Sequence, residues 1–196
     1  MVQQIVLPIK DSNVLKMVQD TLLDSFRAGR RNYTIFQVGK ATLLRVSDVM
    51  KLKKSDVFNP DGSIKSTAFI HDKKTGKANT LYLKPVQQDL LIYHDWLVQQ
   101  NLNSEWLFPS TSRTERHITE KQFYKVMAHV GDLLGINYLG THTMRKTGAY
   151  RVYTQSKYNI GLVMHLLNHS SEAMTLAYLG LDQASRENML DQIDFG

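Results

Sequence analysis

A chain of 196 residues, 42% of them hydrophobic, is long enough for one substantial core, or at most a domain with a small satellite. It contains no cysteine, which excludes disulfides and thiolate metal sites and fits a reducing, cytoplasmic setting. The 24 Lys and Arg against 18 Asp and Glu leave a formal charge of +6, permissive for a polyanionic partner, and no apolar run reaches membrane-spanning length.

The opening MVQQIVLPIKD lacks the basic and long apolar regions of a secretory signal. Asp11 can cap a first helix running to about Arg27, with Val14, Val18, Leu22 and Phe26 recurring on one face. A second helix is expected over Tyr33 to Leu44, and a short one from Ser47, a natural N-cap, through Met50 and Leu52. The helical pattern then stops. Residues 66–83, STAFIHDKKTGKANTLYL, contain two strand-like runs around KKTGK, where Gly76 can supply a positive φ, and predict a β-hairpin. After Pro85 the pattern predicts helices over Val86–Gln100, Thr119–Leu134 with Thr119 and Gln122 spaced as a capping box, His142–Thr154, Asn159–Leu167, Ser171–Tyr178 and Asp182–Ile193. With no internal repeat, low-complexity run or linker, the expectation is a single domain over residues 1–196, mainly α with a small antiparallel β-sheet.

Several polar residues stand out, each with an ordinary reading beside a functional one. In THTMRKTGAY, His142 and Arg145 at i and i+3 share a helix face, the spacing for a bound anion and equally for a solvated edge. In LLNHSSEAMTLAYLG, Ser170 or Ser171 caps a new helix, so His169 sits at a helix–helix corner where backbone groups are free; Tyr178 alone reads as a boundary aromatic. His165 and His169 are spaced to face one metal, but Leu166 stands where the metalloprotease pattern requires Glu, and no metal site is expected. Arg45, surrounded by Leu43, Leu44, Val46 and Val49, reads as a partly buried guanidinium in need of a partner, with Asp48 the local candidate for a structural ion pair. Lys74 by itself is a lysine at a turn tip.

Order and spacing taken together change this. Arg45, Lys74 on a hairpin, His142-x-x-Arg145, then His169 with Tyr178 nine positions on resemble the tyrosine recombinase, or phage integrase, family. The resemblance runs from about Tyr33 to Leu179 and is carried by LLRVSDVMKLKKSDV, DKKTGKANTLYL, LGTHTMRKT and LNHSSEAMTLAYLG, each in the family's order. It implies the tyrosine recombinase catalytic-domain fold. It also implies that Arg45 and Arg145 clamp a scissile phosphate, that Lys74 approaches the leaving oxygen, that His142 and His169 complete the pocket and that Tyr178 is the nucleophile. Double-stranded DNA would be cut through a 3′-phosphotyrosyl bond and rejoined by a 5′-hydroxyl without metal, cofactor or ATP, in a tetramer assembled on paired sites. Physical chemistry asks for the same residue types: charge gathers on the non-bridging oxygens in phosphoryl transfer, and two guanidiniums meet it with paired hydrogen bonds. A tyrosine with its ordinary pKa near ~10 must lose a proton as it attacks, for which His142 is the candidate base; Lys74 is the candidate acid, and His169 a donor to a phosphate oxygen.

The chain departs from the usual pattern at four points. Leu43 stands where glycine commonly precedes the first arginine, Asp48 where Glu is commoner, Asn168 where glycine precedes the last histidine, and KTGAY follows Arg145 in place of a His-Thr-Phe-Ala run. Asn168 remains compatible with a left-handed backbone. Most members also carry a helical domain before the catalytic one; with about thirty residues ahead of the match, none is expected here, so DNA binding should be weak and salt-sensitive. The tail, residues 181–196, puts Met189, Leu190 and Ile193 on one side of a possible helix that would dock on a neighbouring protomer or on its own domain. The expected role is that of an integrase, resolvase or inversion switch of a mobile element, bacterial or phage-encoded and cytoplasmic. A monomeric DNA-relaxing enzyme of the same chemistry and a non-enzymatic DNA-binding regulator are the alternatives, the intact set of polar residues arguing against the second.

Overall fold

The computed structural model describes residues 5–71 and 78–183, with residues 187, 190, 191, 193 and 194 of the tail. The tip of the expected hairpin, with Lys74 and Gly76, and much of the helix expected over Asp182–Ile193, with Met189, lie outside the described residues. The chain is mainly helical. In order it forms α1 (Ser12–Asp24), α2 (Gly29–Thr42), α3 (Val46–Met50), α4 (Lys54–Val57), β1 (Thr67–His71), β2 (Ala78–Tyr82), a 3₁₀ turn (Lys84–Val86), α5 (Gln87–Gln99), α6 (Glu120–Leu134), α7 (Thr143–Gln155), α8 (Ile160–Leu167) and α9 (Glu172–Tyr178). No helix among the described residues is long and apolar enough to cross a membrane.

Asp11 caps α1 as its position predicts, its carboxylate accepting from the backbone N–H groups of Asn13 and Val14. The helix stops at Asp24, short of the expected Arg27, because the chain turns tightly into α2. At Gly29 any Cβ would run into the Leu23 carbonyl, so the corner closes around a residue without a side chain. α2 then starts ahead of the expected Tyr33 and lies at the centre of the molecule, with Arg31, Asn32, Thr34, Ile35, Phe36 and Val38 all buried. Arg31 is accommodated by donating to the Pro109 carbonyl at 2.9 Å and to the Asn32 side chain at 3.2 Å. α6 opens on the expected capping box of Thr119 and Gln122 and ends at Gly135 in the left-handed conformation. The hairpin strands pair antiparallel in the register Thr67↔Tyr82 to His71↔Ala78. The short α4 was not foreseen; its four residues are too few to show a period.

The main core gathers Ile9, Val18, Leu22, Phe36, Val49, Tyr93, Phe108, Phe123 and Met127. A separate small cluster of Leu43, Ala149, Val163, Leu167 and Leu179 ties α7, α8 and the end of α9 to the end of α2. Helices α2 and α7 meet through glycines: a Cβ on Gly39 would strike the Met144 side chain, and one on Gly148 would strike the Lys40 carbonyl and Leu43. Gly148→Ala is therefore expected to destabilise the fold by about 1–3 kcal/mol, since the obstruction is backbone rather than a flexible side chain. Urea unfolding measures it, and an unchanged midpoint would contradict the close approach.

Candidate active site

Arg45 is placed by the turn that ends α2. Leu43 caps that helix at φ 55° and ψ 24°, in the left-handed region where the resemblance expects glycine. A leucine there costs on the order of 1 kcal/mol of backbone strain, offset by burying its side chain in the small cluster with Ala149 and Leu167. Arg45 itself is extended (φ −67°, ψ 150°) and takes the N-cap position of α3, its carbonyl accepting from Asp48 and Val49; it thereby displaces Ser47, the cap expected from sequence. Asp48 is buried one turn further on, at 5% exposure.

Arg145 lies in the first turn of α7, 7% exposed, with Nη2 donating to the Leu167 carbonyl at 3.4 Å. It shares with Arg45 a cleft of about 240 Å³ whose walls are the end of α2, strand β2 from Asn79 to Tyr82, and Leu166 to Asn168. Strand β2 thus lies beside both guanidiniums; Lys74, expected between the two strands, lies outside the described residues.

His142 occupies the N-cap of α7 rather than its interior, after a turn in which the Gly140 N–H donates to the buried Thr143 hydroxyl at 2.9 Å. It is exposed, yet its pKa is lowered, by partial desolvation first and then by Arg145, Lys146 and Arg45, with Glu120 opposing. The imidazole is thus neutral near pH 7 and able to accept a proton. His169 follows Asn168, which is left-handed (φ 55°) as its place before the histidine predicts. The His169 N–H donates to the Met164 carbonyl at 2.9 Å, and Nδ1 is 3.1 Å from the Thr175 hydroxyl. Its pKa is lowered as well, by desolvation and then Arg145 and Arg45.

Thr175 is a positioning residue that sequence reasoning missed. Its one hydroxyl proton can go to the Ser171 carbonyl, 3.1 Å away, or to His169 Nδ1, so it sets whether the proton of the neutral His169 ring sits on Nδ1 or on Nε2. Thr175→Val should lower stability by about 1 kcal/mol and, for the strand cleavage that the resemblance implies, activity about tenfold, while Thr175→Ser stays near wild type. Equal losses in both variants would reduce Thr175 to a packing residue.

Tyr178 closes α9. Its ring stands edge-on to His169, with centroids 5.2 Å apart and planes at 80°, and the Arg145 guanidinium is 6.0 Å from its centre. Its hydroxyl is buried and meets no hydrogen-bond partner among the described residues. Desolvation pushes the phenol pKa up to about 12, against the pull of Arg145 and Arg45. Lys146, also unforeseen, sets its ammonium 5.0 Å from the same ring. The sequence signal for it was its place directly after Arg145 in the unusual KTGAY run.

Arg45, His142, Arg145, His169 and Tyr178 are thus gathered from α2–α3, α7 and α8–α9 into one electrostatic unit, in which Arg145 acts on each titrating member. Among the described residues no group of three or more His, Asp or Glu is placed to hold a metal ion. His165 is exposed on α8.

The Phage integrase family model matches residues 9–185. The probable integrase/recombinase YoeC of Bacillus subtilis (strain 168) is 31% identical over 179 residues, covering 91% of this chain and 92% of its own length. Solved structures similar in fold include the XerH site-specific recombinase bound to palindromic difH substrate in a post-cleavage complex, with TM-score 0.67 and 19% identity over 98% of this chain and 54% of that one. The XerA recombinase superposes at TM-score 0.66 and 20% identity over 98% and 65%. A lambda integrase (75-356) dimer bound to a COC′ core site does so at 0.64 and 18% over 100% and 65%. The chain spans about half to two thirds of the length of these solved structures.

Proposed function

Since this chain belongs to the phage integrase family, we propose that it is a site-specific DNA recombinase that cuts and rejoins double-stranded DNA through a 3′-phosphotyrosyl intermediate. The observation that carries the proposal is the convergence of Arg45 and Arg145 on one cleft, with the Tyr178 ring and both histidines within the field of the same two guanidiniums.

In this reading a backbone phosphate enters the cleft and the arginines bind its non-bridging oxygens, Arg145 as the buried anchor and Arg45 from the mouth. The Tyr178 oxygen attacks phosphorus as its proton passes to neutral His142, forming the tyrosyl–phosphate bond and breaking the bond to the 5′-oxygen. That oxygen leaves with a proton from Lys74, and His169 donates to a phosphate oxygen. A 5′-hydroxyl from a second strand reverses the step, so no external energy source is needed. The phenol must first move outward, because its hydroxyl is buried in the resting structure. Exchange between two duplexes requires several active sites, and assembly of four protomers on paired sites belongs to the proposal.

The test incubates the protein with nicked duplexes tiled across the DNA flanking its gene and looks for a protein–DNA adduct that survives denaturant. Duplexes that are bound without any adduct would refute the enzymatic reading.

A further inference from the structure

Residues 5–10 form a strap across α7 that ends against the segment following Tyr178. The Leu7 N–H donates to the Tyr138 carbonyl at 3.3 Å, and the Ile9 N–H donates to the buried Thr147 hydroxyl at 3.0 Å. Lys10 reaches over Tyr150 to donate from Nζ to the Gly180 carbonyl at 2.7 Å. Gly180 has φ +62°, and a Cβ there would crowd Leu7 and Pro8 of the strap. The Val6 carbonyl accepts from Lys146 Nζ at 2.7 Å, and that same ammonium caps the Tyr178 ring. A buried Asp182 oxygen meets no hydrogen-bond partner among the described residues and lies within the charge range of both Lys10 and Lys146.

We propose that the strap and Lys146 form a clasp that holds Tyr178 in its retracted position, with Lys146 as the positioning residue: its ammonium covers the ring face while the Val6 carbonyl fixes the ammonium. The importance of retracting this tyrosine rests on the reading of Tyr178 as nucleophile; the clasp itself does not. Two lysines, one on the strap and one on α7, close on the residues either side of Leu179. A methionine at position 146 keeps the packing volume and removes both the donor to Val6 and the cation over the ring. Arginine keeps both.

Tetranitromethane nitration of the folded protein, followed by tandem mass spectrometry that places each nitro group within its tryptic peptide, reads the accessibility of each tyrosine without DNA. In the wild type Tyr178 should be protected relative to Tyr82, which is 56% exposed, while core Tyr93, at 0%, stays unmodified. Lys146→Met should raise the Tyr178 rate at least about fivefold, with Tyr93 still protected and Lys146→Arg close to wild type. Lys10→Met, which releases the other end of the strap, should act in the same direction and combine less than additively with Lys146→Met. It also serves as the test if Lys146→Met does not fold.

The clasp is overturned if wild-type Tyr178 reacts as fast as Tyr82, if it is indifferent to the variants, or if Tyr93 becomes reactive in parallel. Absence of a DNA adduct with intact nitration results would instead overturn the recombinase reading and leave the clasp standing.

Discussion

Tyr178→Phe is expected to eliminate the denaturant-resistant adduct entirely while leaving DNA binding unchanged, because the substitution removes one oxygen and no charge. The loss should be complete, since the variant ring carries no atom able to bond to phosphorus. The same change is expected to stabilise the fold or leave it neutral. The hydroxyl is buried without a hydrogen-bond partner among the described residues, and a polar group in that state costs about 1–3 kcal/mol. Recovering about 1 kcal/mol would raise the melting temperature by roughly 2–4 °C in a chain of this size. Gel analysis after denaturation and a thermal melt of the same sample check both halves. A residual adduct would move the nucleophile elsewhere, and a fall in melting temperature would mean that the hydroxyl is bonded at rest. Activity lost with stability gained is the pattern expected of a group held in readiness at its own energetic cost.

The sites where sequence was informative are those where chemistry and local backbone agree. Asn168 before His169 predicts a left-handed turn, and the turn is there. Thr119 and Gln122 predict a capping box, and it forms. Leu43 departs from the expected glycine, yet the backbone adopts the left-handed shape because the leucine side chain has a hydrophobic cluster to enter, a compensation invisible without tertiary contacts. The start of α2 differs for a related reason: Arg31, Asn32 and Thr34 look like solvated positions by periodicity, but all three are buried, and Arg31 is satisfied there by the Pro109 carbonyl, 78 positions away.

The roles of Lys146 and the strap were illegible for the same physical cause. The Val6–Lys146 hydrogen bond joins residues 140 positions apart, and no local pattern encodes it. The residues gathered around the arginine cleft could be singled out from their types and spacing, whereas their supports are constrained only by the fold. Lys74 stands apart: its residue type and hairpin context were readable, and its neighbouring strand β2 borders the arginine cleft, while the lysine lies outside the described residues.

The second large effect concerns Arg145, and it separates charge from geometry. Arg145 lowers the pKa values of His142 and His169 and also that of Tyr178. Arg145→Gln should therefore raise all three, leaving the histidines nearer their ordinary value because desolvation still acts, and making the phenol harder to ionise. On the proposed reading of His142 as the base, adduct formation requires it neutral, so the rate should rise with pH through the His142 pKa, and in the variant that rise should move to higher pH. Superposed on this shift, if Arg145 binds the phosphate as proposed, its loss should lower the maximal rate about 10²–10³-fold. Arg145→Lys keeps the charge and loses the planar fork, so the histidine titrations should stay near wild type while the rate still falls about 10–100-fold. Imidazole resonances followed by NMR across pH, beside adduct rates at each pH, distinguish the two contributions. Histidine titrations that do not respond to Arg145→Gln would refute the electrostatic coupling of the site. A fully active Arg145→Lys would show that a point charge suffices, and that bidentate contact with phosphate is not what the buried position of Arg145 provides.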